Sequence, residues 1–157
     1  MKLKEQKGNL LECDAHIICQ VVNCQGVMNS GLAGEIRRVH PEVFDHYKQI
    51  CDDNDRRMQE TDALLGKVQL VKTRNGAKVI CNMFAQDKYG KNKRYLDYEA
   101  FYVCLEKVRD NCFFDYISLG FPKFIGCGLA GGSWPIVFTM IQTVFKDTDT
   151  TILIVEK

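Results

Sequence analysis

The chain has 157 residues, 46% of them hydrophobic, and a formal net charge of +1. That is the size of one domain able to bury a sizeable core, and its near-neutrality argues against a surface-wide field for nucleic acid or an anionic membrane. No stretch approaches the ~20 apolar residues of a membrane span, and the polar, lysine-rich Met1–Asn9 does not read as a leader.

Taken in chain order, Lys2 to Lys7 alternates weakly and suits an edge strand. His16 to Val22 is almost continuously apolar or β-branched, the pattern of a central strand covered on both faces. From Leu32 the spacing turns helical through Ile36 and Val39. Pro41 restarts a helix carrying Val43, Phe44, Tyr47, Ile50 and Cys51, and the polar stretch Asp52 to Glu60 reads as a surface segment. Lys67 to Lys72 and Lys78 to Met83 read as strands joined by Arg74-Asn75-Gly76, a hairpin signal because Asn and Gly tolerate positive φ. A loop from Asp87 to Tyr95 leads into a helix over about Asp97 to Asn111. A strand over Tyr116 to Leu119 follows, continuing through Phe121 to Ile125. Ser133 stands where it would cap a last helix bearing Val137, Met140, Ile141, Val144 and Phe145, and Thr150 to Val155 closes the chain as a strand. Six strands alternating with helices, one hairpin among them, predict a single α/β domain over residues 1–157 with a mixed, mostly parallel sheet between helices.

The cysteines Cys13, Cys19, Cys24, Cys51, Cys81, Cys104, Cys112 and Cys127 show neither paired nor zinc-like spacing. Several fall in apolar stretches, so the expectation is free thiols in a reducing, cytoplasmic setting. His16, His40 and His46 are isolated, and no metal is expected.

Two glycine-rich runs stand out, each leaving an apolar strand and entering a helix. One is Gly26-Val27-Met28-Asn29-Ser30-Gly31-Leu32-Ala33; the other is Gly126-Cys127-Gly128-Leu129-Ala130-Gly131-Gly132. Glycine lets backbone approach a ligand closely, and the N–H groups at a helix start favour an anion, so the pair suggests two phosphates. Neither run contains Lys or Arg and neither has a Walker lysine, which suits a diphosphate that is bound and not transferred. Residues 126–131 also match the dinucleotide fingerprint, but that motif belongs to a first βα turn followed by several further units, and here one helix and one strand follow. Cys127 precedes a helix start, where a thiol pKa can fall, yet it reads more simply as a small loop residue. Trp134 in the first turn of the last helix suits either core or pocket wall. Lys88, Lys91, Lys93 and Arg94, interleaved with Tyr89 and Tyr95, form the one basic cluster; a solvated loop and a single-stranded nucleic-acid surface are the two readings.

With these residues assembled, the chain resembles the macrodomain family of three-layer α/β/α modules that bind ADP-ribose. The likeness rests on Gly8-Asn9-Leu10, on Val22-Asn23 with Met28-Asn29-Ser30-Gly31-Leu32-Ala33, and on Ile125-Gly126-Cys127-Gly128-Leu129 with Trp134 shortly after. It is similar to the branch holding terminal ADP-ribose protein glycohydrolase, the DNA ADP-ribosylglycohydrolase antitoxins and ADP-ribose-1''-phosphate phosphatase. The resemblance implies that Asn9 and Leu10 lie by the adenine and that the first loop wraps the distal ribose and one phosphate. The second loop, Gly126 to Gly132, would hold the diphosphate from the other side. It implies a monomer without cofactor whose partner is ADP-ribose or an ADP-ribosylated macromolecule. Catalytic residues carry over poorly. The Asp of related glycohydrolases falls at Ala130, their nucleophilic Lys at Gln86, and the His of related phosphatases at Gln20. Lys88, two residues on from Gln86, and the amides Asn23 and Asn29 are the remaining catalytic candidates.

Overall fold

The computed structural model describes residues 1–111 and 117–157. Six strands form one sheet: β1 (Lys2–Lys7), β2 (Ile17–Asn23), β3 (Val68–Lys72), β4 (Val79–Gln86), β5 (Ser118–Pro122) and β6 (Thr151–Glu156), in the order β1-β6-β5-β2-β4-β3. Among these six strands of the described residues, the β3–β4 hairpin is antiparallel and the other strand pairings are parallel. The expected mixed, mostly parallel sheet is therefore present. β2 is internal and buried almost throughout, as its continuous apolar run requires, whereas β1 is an exposed edge whose lysines deter pairing with another chain.

Helices α1 (Gly31–Val39) and α2 (Pro41–Arg56) cover one face, where Ile36, Val43 and Tyr47 pack on Ile18, Ile80 and Phe84. Helices α3 (Tyr98–Asn111) and α4 (Trp134–Phe145) cover the other, where Phe101, Leu105, Val137 and Ile141 meet Cys19, Met83, Phe121 and Ile154. Period-2 alternation in the strands and 3.6-residue spacing in the helices thus resolve into three layers.

Several boundaries differ from the sequence reading. α2 runs on to Arg56, well past Asp52, because polar residues on the solvated side of a helix remain good helix formers. A short 3-10 turn at Thr61–Leu64 carries no periodic signal long enough to read. β5 starts at Ser118; the Tyr116 expected to begin it lies outside the described residues, as does Cys112. The strand ends at Pro122, since Phe124 takes φ +68, which an extended chain cannot follow. In the hairpin turn only Gly76 has positive φ; Asn75 contributes through its side chain, accepting from Thr73 Oγ1 (2.7 Å) and from the Ala77 N–H (3.0 Å). Ser133 sits at the N-cap of α4 without a side-chain capping bond, its own N–H donating to Tyr98 Oη at 2.9 Å.

One buried carboxylate fastens this scaffold. Glu42, in the first turn of α2, accepts the Arg74 main-chain N–H at 2.7 Å and so ties the helix to the hairpin turn. That hydrogen bond holds its carboxyl below the usual range. Glu42 stabilises the fold above the ordinary glutamate pKa, and the contribution disappears as pH falls through the lowered value. Thermal melts should therefore show wild type above Glu42→Gln at pH 7, with the gap in Tm closing progressively below about pH 4.

Candidate functional site

The parallel strands deliver their C-terminal ends to one edge of the sheet. From β2 the chain moves outward to β4 on one side and later returns to β5 on the other, and such a reversal leaves a crevice at the strand ends. Beside it, Ala85 has no partner across the β2–β4 ladder, where Asn23 stands opposite Gln86, so a bulge turns both strand ends outward.

Two cavities open along this edge. The first, of about 550 Å³, lies among Gly8, Asn9, Leu10, Gly31, Leu32, Pro122 and Lys123. The second, of about 460 Å³ and mainly apolar, lies among Asn23, Met28, Asn29, Ser30, Ala33, Gln86, Tyr89, Lys91, Leu129 and Ala130. The start of α1 contributes to both, and the turn after β5 passes from Lys123 at the first cavity to Leu129 at the second. Both glycine runs therefore span the gap between the cavities.

What they present there is backbone. Among the described residues, no acceptor is bonded to the main-chain N–H groups of Met28 through Ala33, nor to those of Gly126, Gly128, Leu129 and Ala130. Ser30, the N-cap of α1, makes no side-chain capping bond, so the first-turn donors and the positive end of the helix dipole face outward together. The glycines divide into two kinds. A Cβ at Gly132 would lie 2.6 Å from Leu96 Cδ2 and 2.7 Å from the Gly126 carbonyl oxygen; at Gly131, with φ +77, it would lie 2.7 Å from the Lys93 carbonyl oxygen; and at Gly126 it would crowd Leu96 at 2.9 Å. Those three are required by packing. At Gly31 and Gly128 a Cβ would meet nothing within 4 Å.

The first run is held by a buried amide. Asn23 Nδ2 donates to the Val27 carbonyl at 2.8 Å, while its Oδ1 accepts from the Gln25 N–H at 2.9 Å and from Tyr47 Oη at 2.8 Å. Tyr47 is fully buried on α2, and burial raises its hydroxyl pKa, so it remains a donor at any physiological pH. A second tie joins the same loop to the β4 exit. Gln25 Nε2 donates to Asp87 and Thr61, and Thr61 Oγ1 donates to Asp87 Oδ1 at 2.6 Å. Arg37 donates to Asn29 Oδ1 at 2.7 Å and stacks 3.6 Å over Phe44. Asn23 and Asn29 stand out in the sequence, as catalytic candidates; their partners Tyr47 and Arg37 and the tie of Gln25, Thr61 and Asp87 do not, and a tyrosine on an apolar helix face, whose hydroxyl must find a partner, is the one signal for them.

Asn9, on the wall of the first cavity, accepts from the Leu11 N–H through Oδ1 at 3.0 Å and keeps a second lone pair on that oxygen, and Leu10 is buried against Gly120. Asn29 borders the second cavity with its amide nitrogen uncommitted among the described residues. Gln86 and Ala130 both border that cavity, and neither can ionise. Lys88 is exposed and outside its wall; among the described residues the cation on the wall is Lys91. Gln20 is buried, donating to Asn82 Oδ1 at 2.7 Å, and its own Oε1 has no partner among the described residues. Gly126, Cys127, Gly128, Gly131, Gly132 and Trp134 border neither cavity. Burial pushes the Cys127 thiol up to about 11, the opposite of an activated nucleophile. Trp134 lies between Phe124 (5.7 Å) and Phe138 (5.2 Å), half-buried against the core on that face of the sheet.

A three-layer α/β/α module with paired main-chain donor loops at its strand ends is the class these features define. The family model described as Macro domain matches residues 19–141, and the chain belongs to that family. A DNA ADP-ribosyl glycohydrolase of Mycobacterium tuberculosis is 29% identical over 142 residues, 88% of this chain and 37% of the relative, so the chain spans little more than a third of that protein's length. The structure of the macrodomain of Mycobacterium tuberculosis DarG superposes with a TM-score of 0.76 at 25% identity, covering 96% of each chain. Thermosipho africanus DarTG, solved in complex with ADP-ribose, superposes with a TM-score of 0.70 at 17% identity over 96% of this chain and 40% of that one.

Proposed function

We propose that the chain binds ADP-ribose, free or carried by a macromolecule, with the adenine end in the cavity beside Asn9 and Leu10 and the distal ribose in the cavity beside Asn23, Asn29 and Ala130. The carrying observation is the double row of uncommitted main-chain donors, Met28–Ala33 and Gly126 with Gly128–Ala130, in the gap between two cavities. A pyrophosphate is the group that links two ribosides across such a gap, and dipolar N–H groups hold it without a metal or a bulky cation. Membership of the Macro domain family and the likeness to a protein solved with ADP-ribose support the same reading.

Hydrolysis is the second reading, favoured by the DNA ADP-ribosyl glycohydrolase relative and by Lys91 on the wall of the distal cavity. Against it stand Gln86 and Ala130, which offer neither nucleophile nor base, and the buried, amide-bonded Gln20. Incubation with ADP-ribosylated DNA, ADP-ribosylated protein and ADP-ribose 1''-phosphate separates the two. The expected result is calorimetric binding of ADP-ribose with no release of ADP-ribose or phosphate. Turnover that disappears in Lys91→Ala would establish the hydrolase.

A further inference from the structure

The segment leaving β4 carries Lys88, Lys91, Lys93 and Arg94, all exposed, in a chain whose total charge is only +1. Among the described residues none of the four meets a carboxylate within ion-pair distance. Asp87, the nearest acid in sequence, is occupied by Thr61 and Gln25. The segment is held in place. The Tyr95 and Leu96 N–H groups both donate to the Ala130 carbonyl, at 2.8 and 3.0 Å. Arg94 Nη1 donates to the Leu96 carbonyl at 2.7 Å while its guanidinium stacks 4.4 Å over Tyr98. Gly90 packs against the hydroxyl end of Tyr95, and Asn92 takes φ +67. The loop's main chain is thus anchored at its Arg94–Leu96 end to the second glycine run.

Its position adds meaning to its charge. Tyr89, Gly90 and Lys91 form one wall of the distal cavity, and the Tyr89 ring, 54% exposed, stands free at that end. We propose that Lys88, Tyr89, Lys91 and Lys93 form a docking strip for single-stranded nucleic acid, the lysines meeting successive phosphates and Tyr89 stacking a base. This rests on the ADP-ribose reading for its purpose: the strip begins at the wall of the cavity assigned to the distal ribose, the end of ADP-ribose to which a carrier would be joined. An acidic peptide would satisfy the lysines equally, but only a nucleobase matches the exposed ring beside them; base stacking on one aromatic contributes about 1–3 kcal/mol whatever the sequence.

The test uses an unmodified, fluorescein-labelled oligothymidylate and a polyglutamate peptide of equal charge, with fluorescence anisotropy read over a salt series. The oligonucleotide should bind and the peptide should bind at least tenfold more weakly. Lys88→Glu/Lys93→Glu should weaken oligonucleotide binding and lower the salt slope by about 1.4, since each single-strand phosphate contact contributes about 0.7. The same variant should keep wild-type affinity for free ADP-ribose by calorimetry, which also certifies its fold; Lys88→Gln/Lys93→Gln should give a smaller loss in the same direction. No oligonucleotide binding by wild type at low salt, equal binding of polyglutamate, or an unchanged salt slope in the charge-reversal variant would overturn the strip. Because the oligonucleotide carries no ADP-ribose, these outcomes are independent of whether ADP-ribose binds.

Discussion

Gly128→Val should abolish measurable ADP-ribose binding, a loss of about 100-fold or more, while leaving the melting temperature within about 2 °C of wild type. The separation follows from two features of the site. Gly128 lies outside the left-handed region and a Cβ there meets nothing within 4 Å, so the new side chain starts into open space. On the proposed reading, the new side chain would stand beside the uncommitted N–H groups of Gly128, Leu129 and Ala130 and keep a phosphate from reaching them. Each hydrogen bond to a charged acceptor contributes about 1.5–3 kcal/mol, so losing two of them is enough for the stated factor. Gly132→Ala gives the contrasting result. Its methyl would overlap Leu96 Cδ2 and the Gly126 carbonyl, and overpacking of that kind costs about 1–3 kcal/mol of stability. Calorimetry and thermal melts on the two variants check both outcomes.

Asn23→Ala is the second large effect, and it falls on stability and binding together. The substitution strips the Gln25 N–H of its partner, leaves the Val27 carbonyl with only the longer Tyr47 hydroxyl contact at 3.4 Å, and takes from the buried Tyr47 hydroxyl one of its two 2.8 Å acceptors. Unsatisfied buried groups cost about 1–3 kcal/mol each, so a loss of about 3 kcal/mol is expected, a fall in Tm of about 6–12 °C at this chain length. ADP-ribose affinity should fall with it, because the amide fixes where Val27 to Ala33 leave the sheet. Tyr47→Phe removes only the hydroxyl and should give the same pattern at roughly half the size. An Asn23→Ala variant with wild-type Tm would show that the loop is held by something else.

The architecture was largely legible because its signals are local and periodic. The apolar run of β2, the Asn-Gly turn between β3 and β4, and Pro41 between α1 and α2 each state their role within a few residues. The two glycine runs were legible as a pair, but which glycines serve packing and which leave open space was not. That distinction depends on Leu96 and Lys93, at least 30 residues away in sequence. The same limit explains Lys91. Counting along the chain points to Lys88, whereas the turn at Asp87 to Gly90 places Lys91 on the cavity wall. Arg38 and Lys123 beside the first cavity likewise sit in a helix and after a strand, where nothing in their immediate context marks them. Asp87, Thr61 and Gln25 come from three separate segments and form one hydrogen-bonded tie only after folding.

Amide-resolved NMR titration reads the proposed contact itself. Adding ADP-ribose should move the N–H resonances of Gly31, Leu32, Ala33, Gly126, Gly128, Leu129 and Ala130 as one saturable set, while adenosine moves only residues around Asn9 and Leu10. If those seven amides stay in place while ADP-ribose binds, or if the shifts gather at side chains elsewhere on the surface, main-chain capture of a pyrophosphate between the two cavities is wrong.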